Sequence, residues 1–183
     1  MEFNKYFLVR ALKENNCVEK GNYKLYSGKD AKLYYNIKKA INNFPFIEDY
    51  IINGFKEIIE LEINEIDCFA GKGIGGISLA CALGREFKKP RCLIRSSKKE
   101  YGTEQDFEGY DIKKQAILLK HAPRVAAIDD VFTTGKTLIE INDFVKSKNG
   151  EVLKNYVVVK NSPQDFKYPL DYLLDLNDFL ELS

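Results

Sequence analysis

The chain has 183 residues, 45% hydrophobic and 30% charged, a globular composition long enough to bury roughly 70% of its unfolded surface without a disulfide or metal staple. Its 28 Lys and Arg against 27 Asp and Glu leave a net charge of +1, so no whole-molecule field draws it to nucleic acid or membrane, and any anion binding has to be local. Cys17, Cys68, Cys81 and Cys92 form no CxxC pair and, beside a single histidine, build no zinc-finger pattern, which leaves them as buried reduced thiols.

In chain order, the opening run MEFNKYFLVRALKENN mixes charges into its apolar positions, which argues against a signal peptide or membrane span and for a cytoplasmic protein. Within it Phe3, Phe7, Leu8 and Leu12 recur at helical spacing and predict an amphipathic helix ending near Asn15 and Asn16. Residues 23–37, YKLYSGKDAKLYYNI, predict two short strands joined by a turn at Ser27 to Asp30. Ile47, Ile51, Phe55, Ile58 and Ile59 return to a helical period from Pro45 to about Leu61. A strand from Ile66 to Ala70, a glycine-rich turn and a helix carrying Ile77, Leu79, Ala80, Leu83 and Phe87 follow. Cys92 to Arg95 predicts a further strand. Val125 to Ile128 predicts another, followed by a helix of Leu138, Ile141, Phe144 and Val145, and then a strand from Tyr156 to Val159. This alternation predicts an α/β fold, a parallel sheet of about five strands with helices on both faces, in one domain spanning residues 1–183. The polar stretch Ser96 to Phe107 interrupts the pattern and reads as a mobile functional loop.

The segment that carries chemistry is Val125 to Thr137, VAAIDDVFTTGKT. A buried strand delivers Asp129 and Asp130 at its C-terminal edge, where open α/β sheets place their ligands. The run Thr133, Thr134, Gly135, Lys136, Thr137 then opens a helix whose amides and hydroxyls form a cradle for a phosphate monoester. One short loop thus offers acceptors for sugar hydroxyls beside donors for a phosphate, the pair of groups that a ribose 5-phosphate presents. As a mere capped helix start the segment would explain its threonines but not two consecutive carboxylates. A Walker A loop is excluded because its leading glycine would fall on Asp130. Gly71, Gly73 and Gly76 satisfy GxGxxG, yet the next strand ends on Arg95 instead of the acidic residue that a dinucleotide ribose requires.

Val125 to Thr137 resembles the phosphoribosyl pyrophosphate (PRPP) motif of type I phosphoribosyltransferases: apolar strand residues, Asp-Asp, a small apolar residue, one further residue, then Thr-Thr-Gly. The resemblance runs over nearly the whole chain and is closest to orotate phosphoribosyltransferase. Leu25, Tyr26, Ser27, Gly28, Tyr34, Tyr35 and Asn36 match that family's N-terminal hood, Gly75 to Gly84 its helix start after the pyrophosphate loop, and Tyr172 to Leu180 its closing strand and short helix. In Ile94 to Tyr110, IRSSKKEYGTEQDFEGY, the matches are Arg95, Lys99, Tyr101, Gly102, Glu108 and Gly109.

The resemblance implies hood elements over about residues 1–40 and a core over about 44–160. It implies Lys99 as the catalytic lysine of the mobile loop, and Asp129 and Asp130 holding the ribose hydroxyls and Mg²⁺ directly or through water. It places Lys72, Gly73, Arg95 and Lys98 at the pyrophosphate, Thr133 to Thr137 at the 5-phosphate, and Tyr34, Tyr35, Lys160 and Asn161 at the base. It further implies a homodimer in which loop 96–107 reaches the neighbouring active site. A loop cation beside departing pyrophosphate stabilises the developing charge. Three departures matter, two at the pyrophosphate and one at the base. Ser96 and Tyr26 stand where the family has lysines, and VVVKNS puts Lys160 and Asn161 where it has Asp-Arg, whose guanidinium pairs with the orotate carboxylate. The expected reaction is therefore phosphoribosyl transfer between PRPP and orotate, with another base, or a PRPP-sensing regulator on the same scaffold, as alternatives.

Overall fold

The computed structural model describes residues 2–24, 30–96 and 106–180. Helix α1, Lys5–Glu14, is capped by the Asn4 side chain, which accepts from the Phe7 N–H, and it buries Leu8, Val9, Ala11 and Leu12. Strands β1, Val18–Lys24, and β2, Asp30–Tyr35, pair antiparallel as a separate two-stranded sheet, with β1 starting earlier than its tyrosines suggest. Helix α2, Ile37–Asn43, begins at the Asn36 cap, and Pro45 sits at the start of α3, Pro45–Ile59, where proline's missing N–H costs nothing.

The main sheet follows: β3, Cys68–Lys72; α4, Gly73–Glu86; β4, Arg91–Ile94; β5, Phe107–Gly109; α5, Ile112–Leu119; β6, Arg124–Phe132; α6, Lys136–Ser147; β7, Glu151–Lys160; β8, Leu170–Asp175; and α7, Leu176–Leu180. Six strands lie in the order β5-β4-β3-β6-β7-β8. All neighbours are parallel except β4 and β5. Five of the strands, β4, β3, β6, β7 and β8, form the parallel sheet expected, and β5 adds an antiparallel edge strand by pairing back along β4. Helices α2 and α5 were also not expected, being too short to show a sustained period.

Strand residues alternate between two cores. Phe69, Ala126, Ile128, Tyr156 and Val158 pack with α1 to α4 on one face. Cys68, Ala70, Val125, Ala127 and Val157 pack with α5 and α6 on the other. From β3 the chain crosses to β4 in one direction, whereas from β6 it crosses to β7 in the other, and right-handed crossovers therefore put α4 and α6 on opposite faces. The point where the direction switches lies between β3 and β6, beyond the carboxyl ends of the strands, which is where such sheets leave a crevice for ligand. Among the described residues no helix is long and apolar enough to cross a membrane.

Candidate active site

Strand β6 outruns β3. Its pairing with β3 ends at Ile128 opposite Gly71, while its pairing with β7 continues through Val131 and Phe132. Asp129 and Asp130 therefore belong to the strand, where the sequence pattern had ended it at Ile128, and one edge of the backbone there faces the crevice. The carboxylates satisfy amides on that segment: Asp129 Oδ1 accepts from Asp130 N–H and Asp130 Oδ1 from Val131 N–H, both at 3.0 Å.

Glycines let α4 close down on this strand end. A Cβ on Gly71 would lie 2.2 Å from the Gly76 carbonyl oxygen, and one on Gly75 would lie 2.4 Å from Asp130 Oδ2. Helix α4 starts at Gly73 itself, whose φ of 71° lies in the left-handed region that glycine enters freely. The expected glycine-rich turn is thus largely the first turn of a helix.

A cavity of about 460 Å³ fills the crevice, lined by Lys38, Lys72, Gly73 to Gly75, Ser96, Asp129, Asp130, Thr137 and Glu140. A smaller one of about 60 Å³ shares Asp129 and Thr137 with it and is lined by Val131 and Thr133 to Lys136. Gly135 sits at the N-cap of α6 with φ of 73°, so the chain turns sharply from strand to helix and wraps residues 133–137 around this small cavity. The dimensions and donors suit a phosphate group. Asp129 is 7% exposed. Burial pushes its carboxyl well above the usual range, Asp130's negative charge adds to the shift, and the Thr137 hydroxyl opposes it. Such a carboxyl favours any arriving cation or hydrogen-bond donor.

The family model for the phosphoribosyl transferase domain matches residues 38–176. The chain belongs to the phosphoribosyl transferase family. An orotate phosphoribosyltransferase of Methanococcus maripaludis is 36% identical over 152 residues, 83% of this chain and 77% of that one. Another, from Methanothermobacter thermautotrophicus, is 31% identical over 178 residues, 94% and 92% of the two chains. The crystal structure of orotate phosphoribosyltransferase from Aeropyrum pernix superposes with a TM-score of 0.78 at 20% identity, covering 96% of this chain and 98% of that one.

Within this phosphoribosyltransferase, Lys72, Gly73, Asp129, Asp130 and Thr133 to Thr137 are gathered around the two cavities. Lys72 Nζ is held by Glu140 Oε2 at 2.7 Å. Glu140 was not anticipated, although it stands one turn beyond Thr137 on α6, so helical spacing from the motif would have found it. Lys38 was likewise not anticipated as a contact.

Arg95 does not line either cavity; it pairs with Glu108 across β4 and β5, and its buried Nε has no partner among the described residues. Ser96 reaches the main cavity, and Arg95 N–H donates to the Asp106 carbonyl at 2.9 Å. Lys98, Lys99, Tyr101 and Gly102 lie outside the described residues, as do Leu25 to Gly28.

The expected base contacts divide. Tyr35 is 4% exposed, with its ring 4.7 Å from that of Phe179; it is a core residue, because alternation along β2 turns it inward. Burial and Asp175 push its phenol up to about 12. Tyr34, on the opposite face of β2, is half-buried. Lys160 lies over Tyr172, 5.5 Å from the ring centre, in a separate cavity of about 210 Å³ shared with Ser162, Pro163, Asp175 and Asn177. Asn161 extends the β7 pairing by donating its N–H to the Phe132 carbonyl at 2.8 Å.

Proposed function

We propose that this phosphoribosyltransferase joins orotate to the ribose 5-phosphate of PRPP, forming orotidine monophosphate and pyrophosphate. The observation that carries the reading is the pair Asp129 and Asp130 at the switch crevice, directly beside the loop 133–137. The relatives of 30–36% identity over most of the chain, named orotate phosphoribosyltransferases, point to the same reaction. The bond from the anomeric carbon to pyrophosphate oxygen breaks with its electron pair leaving on oxygen. The bond to the ring nitrogen forms as that nitrogen gives up its proton.

Loop 133–137 anchors the 5-phosphate, and Asp129 and Asp130 accept from the ribose hydroxyls, so the anomeric carbon is fixed between base and leaving group. Lys72 and the loop lysines Lys98 and Lys99 serve the pyrophosphate in this reading, with Lys99 stabilising the charge that develops as it leaves, while Arg95, paired with Glu108, lines neither cavity. Mg²⁺ suits the site: the two carboxylates would hold it directly or through water, while the described residues contain no cluster of three or more His, Cys, Asp or Glu to enclose it. The ion would take its remaining ligands from PRPP oxygens and water and would offset their charge. We also assign a homodimer in which residues 96–107 close over the neighbour's site and exclude water.

The test is pyrophosphate release from Mg-PRPP across a panel of bases with a no-base control. Turnover with orotate above all other bases is expected. Release that favours a neutral base overturns orotate as the substrate, and absence of release with every base favours a PRPP-sensing role.

A further inference from the structure

The reading of the site as a PRPP enzyme leaves one cation of the main cavity without a task. Among the described residues two lysines line that cavity, Lys38 and Lys72. Lys72 is engaged by Glu140 at 2.7 Å. Lys38 makes no side-chain hydrogen bond or ion pair among the described residues. Its neighbour Lys39 shows the contrast: the Lys39 Nζ donates to the Asn16 carbonyl at 3.0 Å and ties α2 to the end of α1. Lys39 thus has a structural explanation, whereas Lys38 projects a half-buried ammonium into the crevice. Its place in the first turn of α2, which carries no acidic residue, is unfavourable to the helix dipole, so helix stability does not account for it either.

We propose that Lys38 is a substrate-binding residue whose ammonium receives an oxyanion of the bound substrates. This proposal rests on the PRPP reading of the cavity. The cavity's own charges leave a vacancy of this kind, since Glu140 takes Lys72 while Asp129 and Asp130 are turned to hydroxyls and metal. The ligand chemistry is a carboxylate or phosphate oxygen. Two sources supply it, the carboxylate of the base and the diphosphate of PRPP. Lys160, the cation next to Asn161, which stands at the position of the family's base arginine, lies in a different cavity with Asp175, so an acidic base drawn into the main cavity meets Lys38 there.

The experiment compares Lys38→Gln and Lys38→Arg with the unaltered full chain. It measures KM for orotate at saturating Mg-PRPP, KM for Mg-PRPP at saturating orotate, and calorimetric binding of Mg-PRPP alone. Loss of one charge-assisted hydrogen bond raises the affected constant by roughly tenfold to a hundredfold. We expect Lys38→Gln to raise one KM by at least about tenfold with a smaller change in kcat, and Lys38→Arg to recover most of the loss. A rise confined to orotate assigns the base carboxylate; a rise in the Mg-PRPP KM and binding constant assigns the diphosphate. Both constants within about twofold of the unaltered protein would overturn the proposal, since a bond worth the stated range cannot vanish unnoticed. Equal losses in the Gln and Arg variants together with a lowered melting temperature would also overturn it, by showing a structural role. An unaltered protein that turns over PRPP only with neutral bases would overturn the orotate reading alone, and the Mg-PRPP measurements would still judge Lys38.

Discussion

An alanine at position 75 separates the site from the scaffold. Its Cβ would fall 2.4 Å from Cγ and Oδ2 of Asp130 and 2.8 Å from its Cβ, far inside the roughly 3.5–4.0 Å of favourable heavy-atom contact. Either Asp130 rotates or α4 retreats. Retreat is costly because the α4 backbone already touches β3 at Gly71 and Gly76, so the carboxylate moves. Overpacking costs about 1–3 kcal/mol, and replacing a helical glycine by alanine returns about 1 kcal/mol. The net is ~0–2 kcal/mol, a fall of about 0–8 °C in melting temperature for a chain of this length. Function fares worse. Displacing one carboxylate from a ribose hydroxyl forfeits a charge-assisted hydrogen bond of about 1.5–3 kcal/mol, or roughly 10- to 150-fold in kcat/KM for PRPP. Gly76→Ala provides the contrast, because its Cβ meets the Ile128 carbonyl oxygen at 2.7 Å, and no side-chain rotation relieves a clash with the backbone of a central strand. That variant should lose stability first. Thermal unfolding and steady-state PRPP kinetics on both variants decide the matter. Wild-type kcat/KM in Gly75→Ala, or stability and activity falling in parallel in both variants, would refute the reasoning.

Three further outcomes are expected. Asp129→Asn should abolish PRPP use yet raise the melting temperature near pH 7.5, by about 2–4 °C for each kcal/mol relieved. The native carboxyl has a raised pKa, so the folded state binds that proton more tightly and loses stability as pH climbs from the ordinary aspartate value through the raised one. The advantage of the variant should vanish in acid, and unfolding curves across pH that stay parallel would contradict it. Glu140→Gln should release Lys72 to the incoming diphosphate and lower KM for PRPP about two- to fivefold, the scale of a partly exposed ion pair; an unchanged KM in both Glu140→Gln and Lys72→Ala would place the pair off the substrate's path. Finally, mixing Lys99→Ala with Asp129→Asn subunits should restore about a quarter of normal turnover, because half the dimers then carry one intact site; no recovery after verified subunit exchange would show that the loop serves its own subunit.

The functional segment was legible because its features are local. Apolar strand residues, two acids, small hydroxyl residues and a glycine at the helix start each state their geometry within thirteen positions, Val125 to Thr137. What stayed hidden depends on partners distant in sequence. The extension of β6 to Phe132 is held by β7 alone, through Val131 opposite Val159 and Phe132 opposite Lys160, and no pattern within β6 announces it. Strand β5 is three residues long and gains its identity from β4, so it read as part of the polar loop. Tyr34 and Tyr35 look equivalent in sequence, but Phe179, more than a hundred positions away, receives one of them into the core. Lys38 and Lys39 likewise differ only in what surrounds them once α2 has docked.

The alternation of a strand also explains why the motif needs two consecutive aspartates. Adjacent side chains on β6 must face opposite sides of the sheet. Asp129 therefore lies on the side of α6, where the Thr137 hydroxyl reaches it, and Asp130 on the side of α4, against Gly75. Because the crossovers from β3 and β6 run in opposite directions, the crevice between these strands is where helix starts from both faces converge. A single aspartate would serve one helix start only. The consecutive pair spans the strand end and presents a carboxylate to each side of the crevice, an arrangement that suits the two neighbouring hydroxyls of the ribose in the proposed reading. On this geometry the position of each acid matters as well as its presence: moving either aspartate one place along the strand would turn its carboxylate to the opposite face.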